Sequence, residues 1–226
     1  MAQHSKRYTQ AREGCDPAQE HSVAQALERI KAQPAAKFDE TIEIVIVTGL
    51  DPKKADQAVR GTISLPKGIG KSLRVIAFCP DDEAEAAKAA GAVDAGADAL
   101  VEKVSGGWFE FDVAVAARSA MRFVGKLGRL LGPKGLMPSP KSGTVVDDVP
   151  AAVQEFAAGK LEYRLDAGGN IHAPVGKKSF SVEDLSENID AFVEQIRRVK
   201  PSAAKGRYIK SISLCSTIGP GVKVAV

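Results

Sequence analysis

The chain has 226 residues, 44% hydrophobic and 26% charged, with a formal net charge of +3. That balance excludes wholesale disorder and allows one large or two modest buried cores. No apolar run approaches the roughly 20 residues needed to cross a bilayer, and the start M-A-Q-H-S-K-R-Y has no apolar centre of the signal-peptide kind, so a cytoplasmic protein is expected.

Ser22 and Gln25 have capping-box spacing, and Val23, Ala26, Leu27 and Ile30 follow at helical spacing, which predicts an amphipathic helix over 22–33 ending before Pro34. Glu40–Val47 alternates, with Ile42, Ile44 and Ile46 on one face of a strand. The middle of the chain changes rhythm. Leu73–Cys79 and Asp112–Ala116 read as buried strands, and 82–90, 99–104 and 119–131 as helices, so βαβ units are expected there. Leu161, Tyr163 and Leu165, then Ile171, Ala173 and Val175, alternate again as strands. Ser181 with Asp184 opens a helix whose face is Val182, Leu185, Ile189, Phe192, Ile196 and Val199, stopped by Pro201, and Tyr208–Leu214 closes the sheet.

The expected architecture is therefore mixed α/β and α+β in two domains. Residues 1–68 and 159–226 form a discontinuous α+β sandwich from both termini, and 69–158 form an inserted Rossmann-like three-layer α/β domain. Gly68, Gly70 and Gly159 at the joins suit a two-strand hinge. Charge follows the same partition, +5 in the terminal part and −2 in the inserted part. Because Lys and Arg supply most sequence-independent affinity for nucleic acid, the terminal domain is expected to carry the grip.

Catalytic readings fail on spacing. Gly70-Lys71-Ser72 resembles the end of a phosphate-binding loop, but the position five before Gly70 holds Leu65 instead of glycine. His4, His21 and His172 suggest neither a metal pair nor a nucleophile and base, and Cys15, Cys79 and Cys215 are too scattered for a zinc site or a disulfide framework. No catalytic residue, metal or cofactor is expected.

Two features point to RNA. On the last strand Ser211 and Ser213 face away from Ile212 and Leu214, Thr217 continues their parity, and His172 faces away from Ile171 and Ala173. Short hydroxyls let an RNA backbone approach and can meet its 2′-hydroxyls, although solvent-facing strands carry Ser and Thr for no such reason. The other feature is Gly125–Val145, G-K-L-G-R-L-L-G-P-K-G-L-M-P-S-P-K-S-G-T-V. Its glycines and prolines predict an extended, punctuated loop presenting Lys126, Arg129, Lys134 and Lys141.

That string resembles the signature of the bacterial L-one family of large-subunit ribosomal proteins, the protein of the mobile lateral stalk beside the tRNA exit site. K-F-D-E-T at Lys37–Thr41, D-P-K-K-A-D-Q-A-V-R-G-T-I-S-L-P at Asp51–Pro66, I-H-A-P-V-G-K at Ile171–Lys177 and S-T-I-G-P at Ser216–Pro220 carry the resemblance across nearly the whole chain. The family commonly has Met where this chain has Ile218. The resemblance implies an RNA-binding surface at Lys37, Phe38, Thr41, Ser211, Thr217, Ile218 and Gly219, which Ser213 joins on strand parity. Arg164, His172 and Lys177 are expected as phosphate or sugar contacts, and Asp166 as the residue that orients one of them. Phe38 is expected to divide its ring between the sheet edge and a ribose. Implied partners are large-subunit rRNA, exit-site tRNA, for which the basic loop is a candidate contact, and the messenger RNA of the protein's own operon, which it represses. A monomer is expected when free. The alternative is a non-ribosomal RNA-binding regulator or RNA chaperone.

Overall fold

A computed structural model describes residues 5–13, 15–16, 19–34 and 36–225. In chain order its elements are α1 (Lys6–Glu13), α2 (Val23–Ala32), β1 (Thr41–Thr48), β2 (Arg60–Ser64), β3 (Val75–Phe78), α3 (Asp81–Ala89), β4 (Asp94–Gly96), α4 (Asp98–Ser105) and β5 (Val113–Ala117). There follow α5 (Met121–Val124), α6 (Gly128–Leu131), β6 (Val145–Val146), α7 (Val149–Ala157), β7 (Lys160–Arg164), β8 (Asn170–Lys177), α8 (Val182–Arg198), β9 (Ile209–Ser216) and β10 (Val222–Val224). They divide into two units, one of residues 1–70 with 162–226 and one of residues 71–161.

In the first unit the helices start where their caps dictate. Ser22 Oγ accepts from the Gln25 N–H and the Gln25 side chain accepts from the Ser22 N–H, both at 3.3 Å, closing a capping box. Ser181 Oγ likewise accepts from the Asp184 N–H at 3.0 Å. α2 buries Ala26, Leu27 and Ile30, and α8 buries Leu185, Ile189, Phe192 and Ile196. Both pack on an antiparallel sheet of order β10-β9-β1-β8. Ile44 of β1 stands between Leu214 and Ala173, and Ile46 between Ile212 and Ile171, all on the buried face. Because side chains alternate, Glu43, Val45 and Val47 point to the other face, where Glu43 is exposed and the two valines are half-buried. β2 and β7 form a separate two-stranded ribbon.

One buried polar residue interrupts the apolar face of α8. The Asn188 amide donates to Val175 O at 2.8 Å and Gly68 O at 3.0 Å, and accepts from the Lys67 N–H at 3.0 Å. It thereby clamps the segment after β2 to the sheet, meeting backbone groups that burial would otherwise leave unpaired. Gly70 ends that segment at φ 68°, where a Cβ would meet the Phe180 ring at 2.9 Å.

The second unit holds a parallel sheet of order β4-β3-β5-β6. The chain steps from β3 outward to β4 and then back across to β5. Right-handed crossovers in opposite directions set α3 and α4 on opposite faces. Val75–Phe78 and Ala114–Ala117 are buried throughout, as central parallel strands must be. The single helix expected over 119–131 is instead α5, a 3-10 turn at Gly125–Leu127 and α6. Gly125 and Gly128 at these junctions lower helix propensity enough for the chain to tighten there. The Gly125–Val145 string is correspondingly less extended than expected. It is helical through Leu131, and after Pro138 it folds into a 3-10 turn at Pro140–Ser142. Hydroxyls hold this second part. The Ser139 N–H donates to Thr144 Oγ1 at 2.9 Å, and Ser142 Oγ lies 3.0 Å from Thr144 Oγ1.

Asp112 pins the start of this sheet. Its carboxylate accepts from the Arg74 side chain and the Arg74 N–H, both at 3.1 Å, and from Lys71 at 3.2 Å. Against the cost of partial burial, the Arg74 guanidinium, the Arg74 N–H and the Lys71 charge hold its pKa down at about 2. A depressed carboxylate pKa gives stability above the ordinary value that is lost as pH falls through the folded value. The second unit is therefore expected to lose stability between pH ~4 and ~2. Asp112→Asn should remove that part of the acid transition, as read by fluorescence of Trp108, the only tryptophan. An unchanged transition would contradict this assignment.

Candidate nucleic-acid interface

The face of the four-stranded sheet opposite the core carries Ser211, Ser213 and His172 of the expected site residues. Across it, Ser211, Val47 and Asn170 lie in one row, and Lys223, Ser213, Val45 and His172 in the next. Ser211 and Ser213 are half-buried and His172 is exposed. The face thus sets the short hydroxyls of Ser213 and Ser211 beside Val45 and Val47. Arg164 sits on β7, yet Leu165 bridges to Ile171 and both are buried, so the exposed Arg164 faces the opposite way.

At one end of the face, Asp166 is fixed by its own turn. Its Oδ1 accepts from the Asn170 N–H at 2.7 Å and the Gly168 N–H at 2.8 Å, and its Oδ2 lies 3.3 Å from His172 Nε2. The Asn170 N–H bond, opposed by slight burial and aided by the Asn170 side chain, the Gly168 N–H and His172, keeps its carboxyl below the usual range. Asp166 is therefore placed to orient His172.

At the other end the chain folds β9 back against β1. The Thr217 N–H donates to Thr41 O at 3.1 Å, and the Thr41 N–H donates to Thr217 Oγ1 at 3.0 Å. Lys177 Nζ donates to Thr41 Oγ1 at 2.9 Å. The hydroxyl of Thr217 also donates to Thr41 O at 3.3 Å, so it is committed to the fold as both acceptor and donor. Thr217→Val is expected to cost about 1 kcal/mol of stability by leaving the Thr41 N–H without its acceptor. It should also weaken binding of a stalk rRNA transcript, read by filter binding. A variant with unchanged denaturation midpoint and unchanged affinity would return Thr217 to the ordinary solvent-facing hydroxyls.

Three residues that sequence reasoning passed over build this end. Glu40 is 2% exposed. Its Oε1 accepts from the Ala36 N–H at 3.2 Å and lies 3.6 Å from Lys178 Nζ, and its Oε2 accepts from the Ile218 N–H at 3.3 Å. Burial pushes its carboxyl up, but the Ser216 hydroxyl, the Ile218 N–H, the Lys178 charge and the Ala36 N–H outweigh burial and hold it below the ordinary value. One carboxylate therefore ties the approach to Lys37 and Phe38 to the Thr217–Gly219 loop. Ser216 Oγ accepts from the Gly219 N–H at 3.2 Å, and Gln33 closes the loop from beneath. A Cβ on Gly219 would stand 2.1 Å from Gln33 Oε1 and 2.5 Å from Ser216 Oγ, which explains the glycine. The sequence signals for Glu40 were its place in K-F-D-E-T and its strand parity with the buried Ile42, Ile44 and Ile46.

Phe38 is 54% exposed and Ile218 38%, so neither fills the core. The half of Phe38's expected role that lay in packing the sheet edge is minor. Lys37 is exposed beside it. Lys126, Arg129, Lys134 and Lys141 are exposed on the other unit, with Lys126 and Arg129 on helical turns and Lys134 Nζ 4.1 Å above the Phe109 ring. Among the described residues, no cluster of three His, Cys, Asp or Glu could hold a metal ion, and no helix is long and apolar enough to cross a membrane.

Comparison with known proteins gives two concordant findings. The model of the Ribosomal protein L1p/L10e family matches residues 28–220. A relative named large ribosomal subunit protein uL1, from Kosmotoga olearia, is 50% identical over 224 residues, covering 99% of this chain and 97% of the relative.

Proposed function

The chain belongs to the Ribosomal protein L1p/L10e family, and on that premise we propose that the sheet face bearing Ser211 and Ser213 and the Thr217–Gly219 loop grip the stalk region of large-subunit rRNA. The protein is a constituent of the large ribosomal subunit, located with the ribosome in the cytoplasm, and its family is structural rather than enzymatic. The observation that carries the proposal is Glu40, a buried carboxylate spent on fixing two exposed segments that have no packing task of their own. A face with Ser211, Ser213 and His172 admits an RNA backbone, and hydroxyls such as those of Ser211 and Ser213 can both donate to and accept from a 2′-hydroxyl. Arg164, Lys177 and Lys37 flank that face as phosphate contacts, which fix position rather than sequence. The terminal part, 1–68 with 159–226, acts as the gripping domain and carries the +5 charge.

The inserted domain, 69–158, serves a second RNA. Lys126, Arg129, Lys134 and Lys141 meet exit-site tRNA and assist release of the deacylated molecule. The same terminal face binds the protein's own operon messenger RNA where that RNA mimics the rRNA site, and so represses its translation. Sedimentation tests the ribosomal reading. The protein is expected to remain with large subunits through high-salt washes that strip transient factors, and its release with those factors would refute an assembled role.

A further inference from the structure

Helix α1 is not explained by burial. Its sequence K-R-Y-T-Q-A-R-E has three cations and one acid, and none of its residues is buried. An eight-residue helix without an apolar face is marginal by itself, and the Ser5 hydroxyl, accepting from the Tyr8 N–H at 3.3 Å, supplies only a local cap. Its position is informative. Arg7 and Tyr8 line a crevice together with Glu40, Ser216, Ile218 and Gly219, the residues that build and form the loop described above. Glu40 is the one acid there, and its oxygens are already engaged by Lys178 and by the Ala36 and Ile218 N–H groups. Among the described residues Lys6, Arg7 and Arg12 form no ion pair, whereas Lys178, Lys223 and Arg60 of the same unit do.

We infer that Arg7 is a phosphate-binding residue for the RNA held by the Ile218–Gly219 loop, with α1 as the second wall of that grip. The inference rests on the rRNA reading above and deepens it. The chemistry is that of a guanidinium, whose planar fork matches two phosphate oxygens, placed where the neighbouring loop offers backbone and small groups but no charge. Half-buried beside this loop, Arg7 forms no ion pair within the described part of the free protein. A phosphate brought alongside Gly219 would supply the counter-charge that the protein does not.

Counterion release tests this directly. Affinity for a transcript of the large-subunit rRNA stalk, measured from about 50 to 300 mM salt, falls with a slope set by the number of phosphates neutralised. Arg7→Ala is expected to reduce that slope by about one and to weaken binding roughly five- to tenfold near physiological salt. Alanine keeps the helix, being its best former. Lys6→Ala, about 100° away around α1, is expected to change the slope by less than half as much. An Arg7→Ala slope equal to that of the unaltered protein, or to that of Lys6→Ala, overturns the inference while leaving the rRNA reading intact. Failure of the unaltered protein to bind the transcript overturns both.

Discussion

Glu40→Gln is expected to cost the terminal unit about 3 kcal/mol and to weaken stalk rRNA binding tenfold or more. The substitution keeps the volume but replaces one carboxylate oxygen with an amide NH2 that can only donate. One of the two N–H groups now satisfied, Ala36 or Ile218, then faces another donor. Lys178, whose side chain is 13% exposed, loses its counter-charge, and breaking a buried pair from one side costs about 3–5 kcal/mol. Urea denaturation followed by circular dichroism should show an early transition in the variant. Trp108 fluorescence, which reports the other unit, should be unmoved. The sign with pH is also fixed. The Glu40 pKa is depressed in the fold, so its contribution is present above the ordinary carboxylate value and lost as pH falls through the folded value. The variant should lack that dependence. Coincident transitions in both proteins, or an unchanged rRNA affinity, would remove Glu40 from its organising role.

Gly219→Ala should be nearly as damaging to binding, by a different route. The added carbon would sit 2.1 Å from Gln33 Oε1, in a place where Gln33 is itself 9% exposed. Gln33 must swing out or the loop must lift, and forcing an extra carbon into a filled site costs about 1–3 kcal/mol. Lifting the loop moves Thr217 and Ile218 away from the sheet face, so rRNA affinity is expected to fall roughly 30-fold, about 2 kcal/mol. The second variant Gln33→Ala with Gly219→Ala removes the closer of the two contacts and leaves Ser216 Oγ at 2.5 Å. It should recover part of the binding if the Gln33 contact is the cause, and no recovery would mean that the Gln33 contact is not what limits binding.

What could be read in the sequence was what depends on near neighbours. The caps at Ser22 and Ser181 close within three residues, and Ile42, Ile44 and Ile46 alternate within one strand, so α2, α8 and β1 stand where spacing put them. What failed depends on distance. Glu40 shares the strand parity of Ile42, Ile44 and Ile46, but its Ile218 partner is 178 positions away and could not be read from spacing. Asn188 interrupts an otherwise apolar helix face because it serves Gly68, 120 positions distant. Strand parity gives the face of Thr217 but not its partner Thr41 across the sheet. Gly125 and Gly128 were treated as tolerated in a helix, whereas two glycines three residues apart let it tighten into a 3-10 turn.

The central claim is that the unit made from both ends of the chain holds the rRNA by itself. It is tested by joining residues 1–70 to 162–226 through a short flexible linker and measuring the dissociation constant for the stalk transcript beside that of the full chain. The account predicts a folded protein whose affinity lies within about tenfold of the full chain, 1.4 kcal/mol. A folded shortened protein that binds more than tenfold more weakly would contradict it, and would move the main RNA contact to the inserted unit.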